Sequence, residues 1–328
     1  MAILVTGGAG YIGSHAVRAL IGAGEEVVVA DNLRTGFRAA VHPQARFYRL
    51  DLCDRSALSA LFERERIDGV LHFAASSLVA ESMRAPLAYY ENNVGATASL
   101  VRCMAAHGVA RLVFSSSASV YGAAEGALTE DAPLRPVNCY GETKRAAEAL
   151  LHWAAEAHGL RYAALRYFNA CGAHPSGEIG EAHDPETHLI PLALRTALGQ
   201  RPALQLYGTD FPTRDGTAVR DYVHVEDLAR AHLLALGYLA AGGESGAFNL
   251  GTGRGFSVRE VLETARAVTG APIPAEEAPR RAGDPASITA SAEKAARLLG
   301  WEPRHPALED MIASAWRFHR THPHGYEG

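Results

Sequence analysis

The chain has 328 residues, 48% of them hydrophobic and 20% charged, an ordinary balance for a globular enzyme with enough length to bury a core without a disulfide or metal staple. A net charge of -5 argues against a general nucleic-acid surface, although it leaves room for a local basic pocket. No apolar run approaches the ~18 residues of a membrane helix, and the opening MAILVTGGAG is neither a signal nor a transit peptide, so a soluble, cytoplasmic protein is expected. Cys53, Cys103, Cys139 and Cys171 contain no Cys-x-x-Cys pair. The histidines are read as lacking ligand spacing beside cysteine or carboxylate, so neither a disulfide framework nor a bound metal is expected.

In chain order, residues 2–5 form an apolar run that stops at glycines, and a helical stretch over 12–23 follows. A second run over 27–30, rich in β-branched residues, ends at Asp31. Further strand-like runs at 47–50, 70–73, 112–115 and 162–165 alternate with helical stretches, the longest at 87–107 and 141–158. Continuous apolar strands separated by helices predict a parallel sheet covered on both faces, the doubly wound Rossmann-type α/β fold. From about residue 170 the chain becomes polar and turn-rich, then carries a strand at 204–207 and helices near 225–239, 258–268 and 292–299. This predicts a first domain over 1–170 and a smaller α/β lobe over 171–328, with some chain returning to the first domain. Only 322–328 is expected to fray.

The first strand runs into Thr6-Gly7-Gly8-Ala9-Gly10-Tyr11-Ile12-Gly13, where a helix opens, and Asp31 closes the second strand. A lone Gly-x-Gly-x-x-Gly is weak, since glycines also mark plain turns. The strand before, the helix after and the carboxylate at the next strand end make it a dinucleotide loop. Asp31 would accept ribose hydroxyls and repel a 2′-phosphate, favouring NAD, with Arg34 nearby as a counter-signal. Asp51 and Leu52 could meet an adenine, or could form an ordinary strand-end turn. Ala74 and Ala75, after Phe73, would let the backbone pass close to a cofactor; close helix packing would need the same small residues.

Ser115-Ser116-Ser117 ends the fifth strand, and Tyr140 and Lys144 follow at the start of a helix, four apart and therefore on one face. An ammonium near a phenol favours phenolate, and such a tyrosine can take a proton from a sugar hydroxyl while a hydride leaves the same carbon. Ser117 could orient that hydroxyl.

These residues resemble the extended short-chain dehydrogenase/reductase family. The finer resemblance, to UDP-glucose 4-epimerases, rests on GGAGYIGSH (7–15), DNL (31–33), ENNV (91–94), SSSASVYG (115–122), LRYFNACGAHPSG (165–177) and VRDYVHVEDLA (219–229), and it covers nearly the whole chain. It implies that NAD stays bound while UDP-glucose and UDP-galactose interconvert through a transient 4-keto sugar, with Tyr140 as proton acceptor and Lys144 also on the nicotinamide ribose. It adds Tyr11, Ile12, Asn32, Phe73, Asn92 and Phe168 to a cofactor site already holding Gly7, Gly10, Gly13 and Asp31. It also implies a homodimer paired through the two long helices. Leu100, Val101, Met104, Leu150 and Leu151 could serve that pairing or could pack inside one subunit.

A UDP-sugar needs fixed cations and polar groups, and Arg220 and Arg281 are the best candidates, since guanidinium matches phosphate geometry. Asp284 can bind uridine ribose hydroxyls, while Asn169 would touch the diphosphate-sugar region and Tyr207 would flank uracil. Leu189 and His188 join the substrate loop, where His188 stands in place of a frequent asparagine. Ser77 likewise replaces a frequent lysine near the nicotinamide.

Among rival readings, a 4,6-dehydratase lacks its Asp-Glu pair, because the corresponding run is Ser117-Ala118-Ser119. A UDP-sugar decarboxylase, or a 4-epimerase of another UDP-sugar such as an N-acetylhexosamine or a pentose, is harder to exclude. A non-enzymatic NAD-binding regulator could dispense with the Tyr-Lys pair. Ile288, or Ser287 with a shift of one, is read as the residue limiting space beside the sugar C2 group. An isoleucine there predicts a preference for plain hexoses with some tolerance of N-acetylated ones.

Overall fold

The computed structural model describes residues 2–124, 126–281 and 284–326. The first half runs β1 (Ala2–Thr6), α1 (Tyr11–Gly22), β2 (Glu26–Asp31), β3 (Arg46–Arg49), α2 (Arg55–Arg64), β4 (Ile67–His72), α3 (Val79–Arg84), α4 (Pro86–Tyr89), α5 (Ala96–Ala106), β5 (Arg111–Ser115), β6 (Gly126–Leu128), α6 (Cys139–His158) and β7 (Arg161–Tyr167). The second half continues with β8 (Asn169–Cys171), α7 (Leu189–Ala197), β9 (Leu204–Tyr207), β10 (Val219–His224), α8 (Val225–Ala240), β11 (Gly246–Leu250) and β12 (Gly255–Ser257). It ends with α9 (Val258–Thr269), β13 (Ala275–Ala278), β14 (Ser287–Ala290), α10 (Glu293–Leu299) and α11 (Leu308–Thr321).

Seven strands form one parallel sheet in the order β11-β7-β5-β4-β1-β2-β3. The apolar runs read as continuous because both faces are buried. In β1, Ile3 and Val5 enter one core cluster while Ala2 and Leu4 enter the other; in β2, Val27 and Val29 part from Val28 and Ala30 in the same way. That is the doubly wound α/β fold expected. Strand order reverses at β1, between β2 and β4. The crevice at the carboxyl ends of β1 and β4 is therefore where such sheets bind ligands.

β11 comes from the second half of the chain yet forms an edge of this sheet, and α8 packs on α1. The remaining second-half strands, joined by β6 from the first half, build a sheet in the order β12-β10-β14-β6, with β8 beside β10, and a β13–β9 pair. A third core gathers around α7, α9 and α11.

The helical stretch expected over 87–107 is present as continuous helix over 86–106, but between α4 and α5 its turn Tyr90–Gly95 widens to π-helical pairing. Such bulges occur where a helix must re-aim side chains, here Asn92 and Asn93. The tail is not frayed through Tyr326. Its ring lies 5.1 Å from Phe37 and 5.5 Å from Phe318, and its hydroxyl accepts from the Gly180 N–H at 3.0 Å; residues 327 and 328 lie outside the described residues. Of the two placements left open for the apolar residues of the long helices, Leu100, Val101, Met104 and Leu151 take the internal one, and Leu150 is partly buried against the same core.

Candidate active site

The loop after β1 has the geometry a dinucleotide needs. Gly7 has φ of +73°, and a Cβ there would lie 2.6 Å from the Ala74 nitrogen, so only glycine lets the β1 and β4 loops meet. A Cβ on Gly13 would run into the Gly7 carbonyl, so α1 packs against the loop only with glycine at that position. Gly10 caps α1, whose N-terminus has neither a side-chain cap nor an acidic residue in its first turn. That leaves the partial positive end of the helix without a competing anion, as a pyrophosphate requires. The Tyr11 hydroxyl donates to the Gly172 carbonyl at 2.6 Å, so what Tyr11 and Ile12 can offer a phosphate is their backbone.

Asp31 is buried and braces the same loop. Its carboxylate accepts from the Ala9 N–H at 3.0 Å and the Leu33 N–H at 2.8 Å, and burial raises its pKa against those bonds. Asn32 donates to Asp51 at 2.9 Å, so the candidate adenosine contacts at the ends of β2 and β3 are brought together, with Leu52 buried below. Phe73 packs 4.4 Å from the His232 ring, and Ala74 closes on Gly7. Ala75 and the exposed Ser77 follow β4. These residues fit a bound NAD: a glycine cradle, an uncompensated helix end and a buried carboxylate at the end of β2 converge at the point of strand reversal.

A polar chain that sequence reasoning missed lies beneath. Asn93 accepts from the Ser76 N–H at 2.8 Å and donates to the Ser76 carbonyl and the Thr143 hydroxyl, both at 3.0 Å; Thr143 in turn donates to the Tyr140 carbonyl at 2.8 Å. The widened turn at Tyr90–Gly95 thus anchors the start of α6, and Asn92 donates to the Ser76 hydroxyl at 3.2 Å. Thr97 gives its one proton to the Asn93 carbonyl, so His72 Nε2 must donate to Thr97 while Nδ1 accepts from Thr6. The only signal in sequence was two consecutive asparagines inside a helical stretch.

Tyr140 and Lys144 share a face of α6 beside the end of β5. Lys144 is buried, donates to the Ser115 carbonyl at 2.7 Å and holds its ammonium 5.9 Å from the Tyr140 ring. Ser117 accepts from the Ser119 N–H at 3.1 Å, which leaves its own proton free to donate. The electrostatics differ from the expectation of an acidified phenol. Burial pushes the Tyr140 phenol up, with a Ser117 hydrogen bond pulling back, and burial brings Lys144 down to about 7 against the pull of Glu148. Although Tyr140 as a whole is only half-buried, its hydroxyl end lies deep in protein, where neither charged form is well solvated.

The substrate candidates fall into pairs. Arg220 donates to the Pro285 and Val219 carbonyls at 2.8 and 2.9 Å, with Asp284 3.7 Å away, and the Arg281 guanidinium stacks 4.0 Å over Tyr207. Asn169 donates to the Asp221 carbonyl at 2.8 Å. Phe168 packs on the small cluster holding Ile288 and Ala118. Leu189 opens α7. His188 has one ring nitrogen engaged: its Nδ1 is bound by Glu181, with Glu186 3.6 Å away, while the half-exposed ring keeps Nε2 for another partner. Here a sequence expectation fails, because Glu181, His183, Glu186 and His188 do place histidines and carboxylates at ligand spacing.

Residues 3–251 match the model of the NAD dependent epimerase/dehydratase family. The chain belongs to this family. It is 55% identical to a UDP-glucose 4-epimerase of Halalkalibacterium halodurans over 99% of this chain and 98% of that one. A crystal structure of a UDP-glucose 4-epimerase superposes with a TM-score of 0.98 at 51% identity over the whole of both chains. The Brucella ovis UDP-glucose 4-epimerase in complex with NAD superposes with a TM-score of 0.94 at 45% identity, covering 97% of this chain and 98% of that one. Among the described residues, no helix of this family member is long and apolar enough to cross a membrane.

Proposed function

We propose that the protein is an NAD-dependent UDP-hexose 4-epimerase that interconverts UDP-glucose and UDP-galactose. The observation that carries this reading is the placement of Tyr140, Lys144 and Ser117 at the end of β5, next to a glycine cradle at the point of strand reversal. Bound NAD supplies the hydride acceptor and donor for the sugar C4. Tyr140 takes the proton of the 4-hydroxyl, and Ser117 donates to that oxygen and fixes its direction. Lys144 stabilises the phenolate and, in its buried position, keeps water from the pair. Inversion requires the 4-keto sugar to turn and present its other face to the same groups, after which Tyr140 returns the proton.

The diphosphate would be held by Arg220 and Arg281, with Asp284 on the uridine ribose, Tyr207 beside the base, and Asn169, His188 and Leu189 lining the path. Residues 1–170 would serve mainly the cofactor and 171–328 mainly the UDP-sugar. The buried Ile288, packed with Phe168, supports a preference for plain hexoses over N-acetylated ones. A cytoplasmic homodimer is part of the same reading. Among the described residues, Val79, Met83, Leu87, Tyr90 and Trp153 are large apolar side chains left exposed on contacting elements, and sedimentation equilibrium tests whether a second copy covers them.

Tyr140→Phe tests the chemistry. It should keep fold and bound NAD while turnover falls ~10²–10⁴-fold, as loss of a positioned proton acceptor does. Near-normal turnover would remove Tyr140 from the mechanism. A wild-type protein that binds NAD but converts no UDP-hexose would leave only a dinucleotide-binding role.

A further inference from the structure

Between β8 and α7 the chain reads Glu181-Ala182-His183-Asp184-Pro185-Glu186-Thr187-His188, and it folds so that its two carboxylates and two imidazoles face one another. We propose that Glu181, His183, Glu186 and His188 form a structural site for a divalent metal ion of the zinc class, which clasps this segment to the start of α7.

The four side chains stand close enough for one cation to draw a ligand atom of each into its shell. Four ligands at zinc bond lengths of ~2.0–2.1 Å stand ~3.3 Å apart along a tetrahedron's edges. His183 Nδ1 lies 3.0 Å from Glu181 Oε1 and 3.9 Å from Glu186 Oε2, and His188 Nδ1 lies 3.6 Å from Glu186 Oε1 and touches Glu181. All four ligand atoms fall within 4.8 Å of one another. The chemistry of the set selects the ion. Two imidazoles with two carboxylates suit zinc and its first-row neighbours, whereas calcium and magnesium take oxygen ligands.

An independent observation comes from Glu186, whose side chain is fully buried. Its Oε1 accepts from the Thr187 and His188 N–H groups at 2.7 and 2.9 Å, while Oε2 has no hydrogen-bond partner among the described residues and points into the cluster. His183 Nδ1 is in the same position: it stands 3.0 Å from Glu181 without hydrogen-bond geometry. A buried carboxylate oxygen and an imidazole nitrogen, both lacking a partner and aimed at one point, are costly unless a cation lies between them.

Charge balance agrees, since two carboxylates and two neutral imidazoles around a divalent ion sum to zero. Coordination forms four metal–ligand bonds and changes no oxidation state, any proton on a ligand atom passing to solvent. Four protein ligands close the shell, which assigns the ion a structural role. His183 and His188 keep partial exposure, giving a route in from solvent.

The test uses untagged full-length protein stripped with a chelator and titrated with Co²⁺, then Zn²⁺. Wild type should take up one Co²⁺ per chain with the visible absorption of a tetrahedral site, which stoichiometric Zn²⁺ bleaches, and Zn²⁺ should raise the Tm. Glu186→Gln should weaken binding ~100-fold or more, since losing even an outer partner costs 10–100-fold. His188→Gln, at a half-exposed position, gives the same reading should Glu186→Gln fold poorly, and the surface variant His174→Gln should bind as wild type does. Absence of a tetrahedral Co²⁺ spectrum in wild type, or equal uptake by Glu186→Gln and His188→Gln, overturns the site. The readout needs no substrate, so it is independent of the epimerase reading.

Discussion

Replacing Arg166 with methionine isolates a buried charge on the inner face of α6, the helix that carries Tyr140 and Lys144. Arg166 and Glu148 are both nearly inaccessible and pair through two contacts, Nε to Oε1 at 3.0 Å and Nη2 to Oε2 at 2.5 Å. Ser116 donates to the same carboxylate at 2.5 Å, and Arg166 also donates to the Tyr121 hydroxyl at 2.9 Å. Arg166→Met leaves Glu148 with Ser116 as its remaining donor, a buried charge without an ion-pair partner in contact and with the Lys144 ammonium acting on it at a distance. Breaking such a pair costs about 3–5 kcal/mol, whereas replacing both partners with apolar residues is often close to neutral. For a chain of this length that is a Tm fall of roughly 5–7 °C. The double variant Arg166→Met/Glu148→Leu should recover at least half of the loss, short of full recovery because Ser116 and Tyr121 lose partners. Urea unfolding followed by circular dichroism measures both, with an unchanged slope as the check on cooperativity. The reasoning is refuted by a single-variant cost under about 1 kcal/mol, or by a double variant as unstable as the single one.

Glu226 offers a pH-dependent counterpart. Burial raises its carboxyl from 4.5 to about 7 against the pull of Arg18, and His15, with Nε2 3.9 Å away, is itself pushed down to about 3 and offers no charge. The folded state thus favours the protonated carboxyl. The associated stability is full below pH 4.5, falls between 4.5 and 7, and is lost above. Glu226→Gln should therefore match wild type near pH 4.5 and exceed it at pH 8 by up to about 3 kcal/mol; urea midpoints across that range check it. Arg281→Ala should weaken UDP-sugar binding by about 1.5–3 kcal/mol, the range for a charged hydrogen-bond partner, while leaving NAD retention unchanged; calorimetric titration with UDP reads this directly.

Much of the sheet was legible because its code is local. The runs over 2–5 and 27–30 alternate nothing and end at glycine or aspartate, which only a strand buried on both faces explains, and they are β1 and β2. Gly7 and Gly13 could be assigned for the same reason, since each answers to one backbone contact. What depends on distant contacts was not legible. Nothing around Tyr326 announces that Phe37, Phe318 and Gly180 hold it. Nothing local says that Asn93 would lock Ser76 and Thr143 into one chain. The four metal-ligand candidates were legible as two histidines interleaved with two glutamates over 181–188, contrary to the reading that the histidines lack ligand spacing beside cysteine or carboxylate.

The Tyr140–Lys144 pair shows where that boundary lies in chemical terms. Spacing alone puts both side chains on one helix face, and the structure agrees. Spacing is silent about the medium between them. An ammonium acidifies a phenol by Coulomb attraction, but the low-dielectric surroundings that strengthen that attraction also penalise each charge separately. Here the penalty wins for the protein alone: the phenol moves up and the amine comes down to about 7. In the protein alone, burial therefore favours the neutral form of each group, and a phenolate at Tyr140 would be stabilised only while Lys144 holds its proton. On the proposed reading, the Ser115 carbonyl at 2.7 Å, which stabilises the ammonium, would then support proton acceptance by Tyr140 as well.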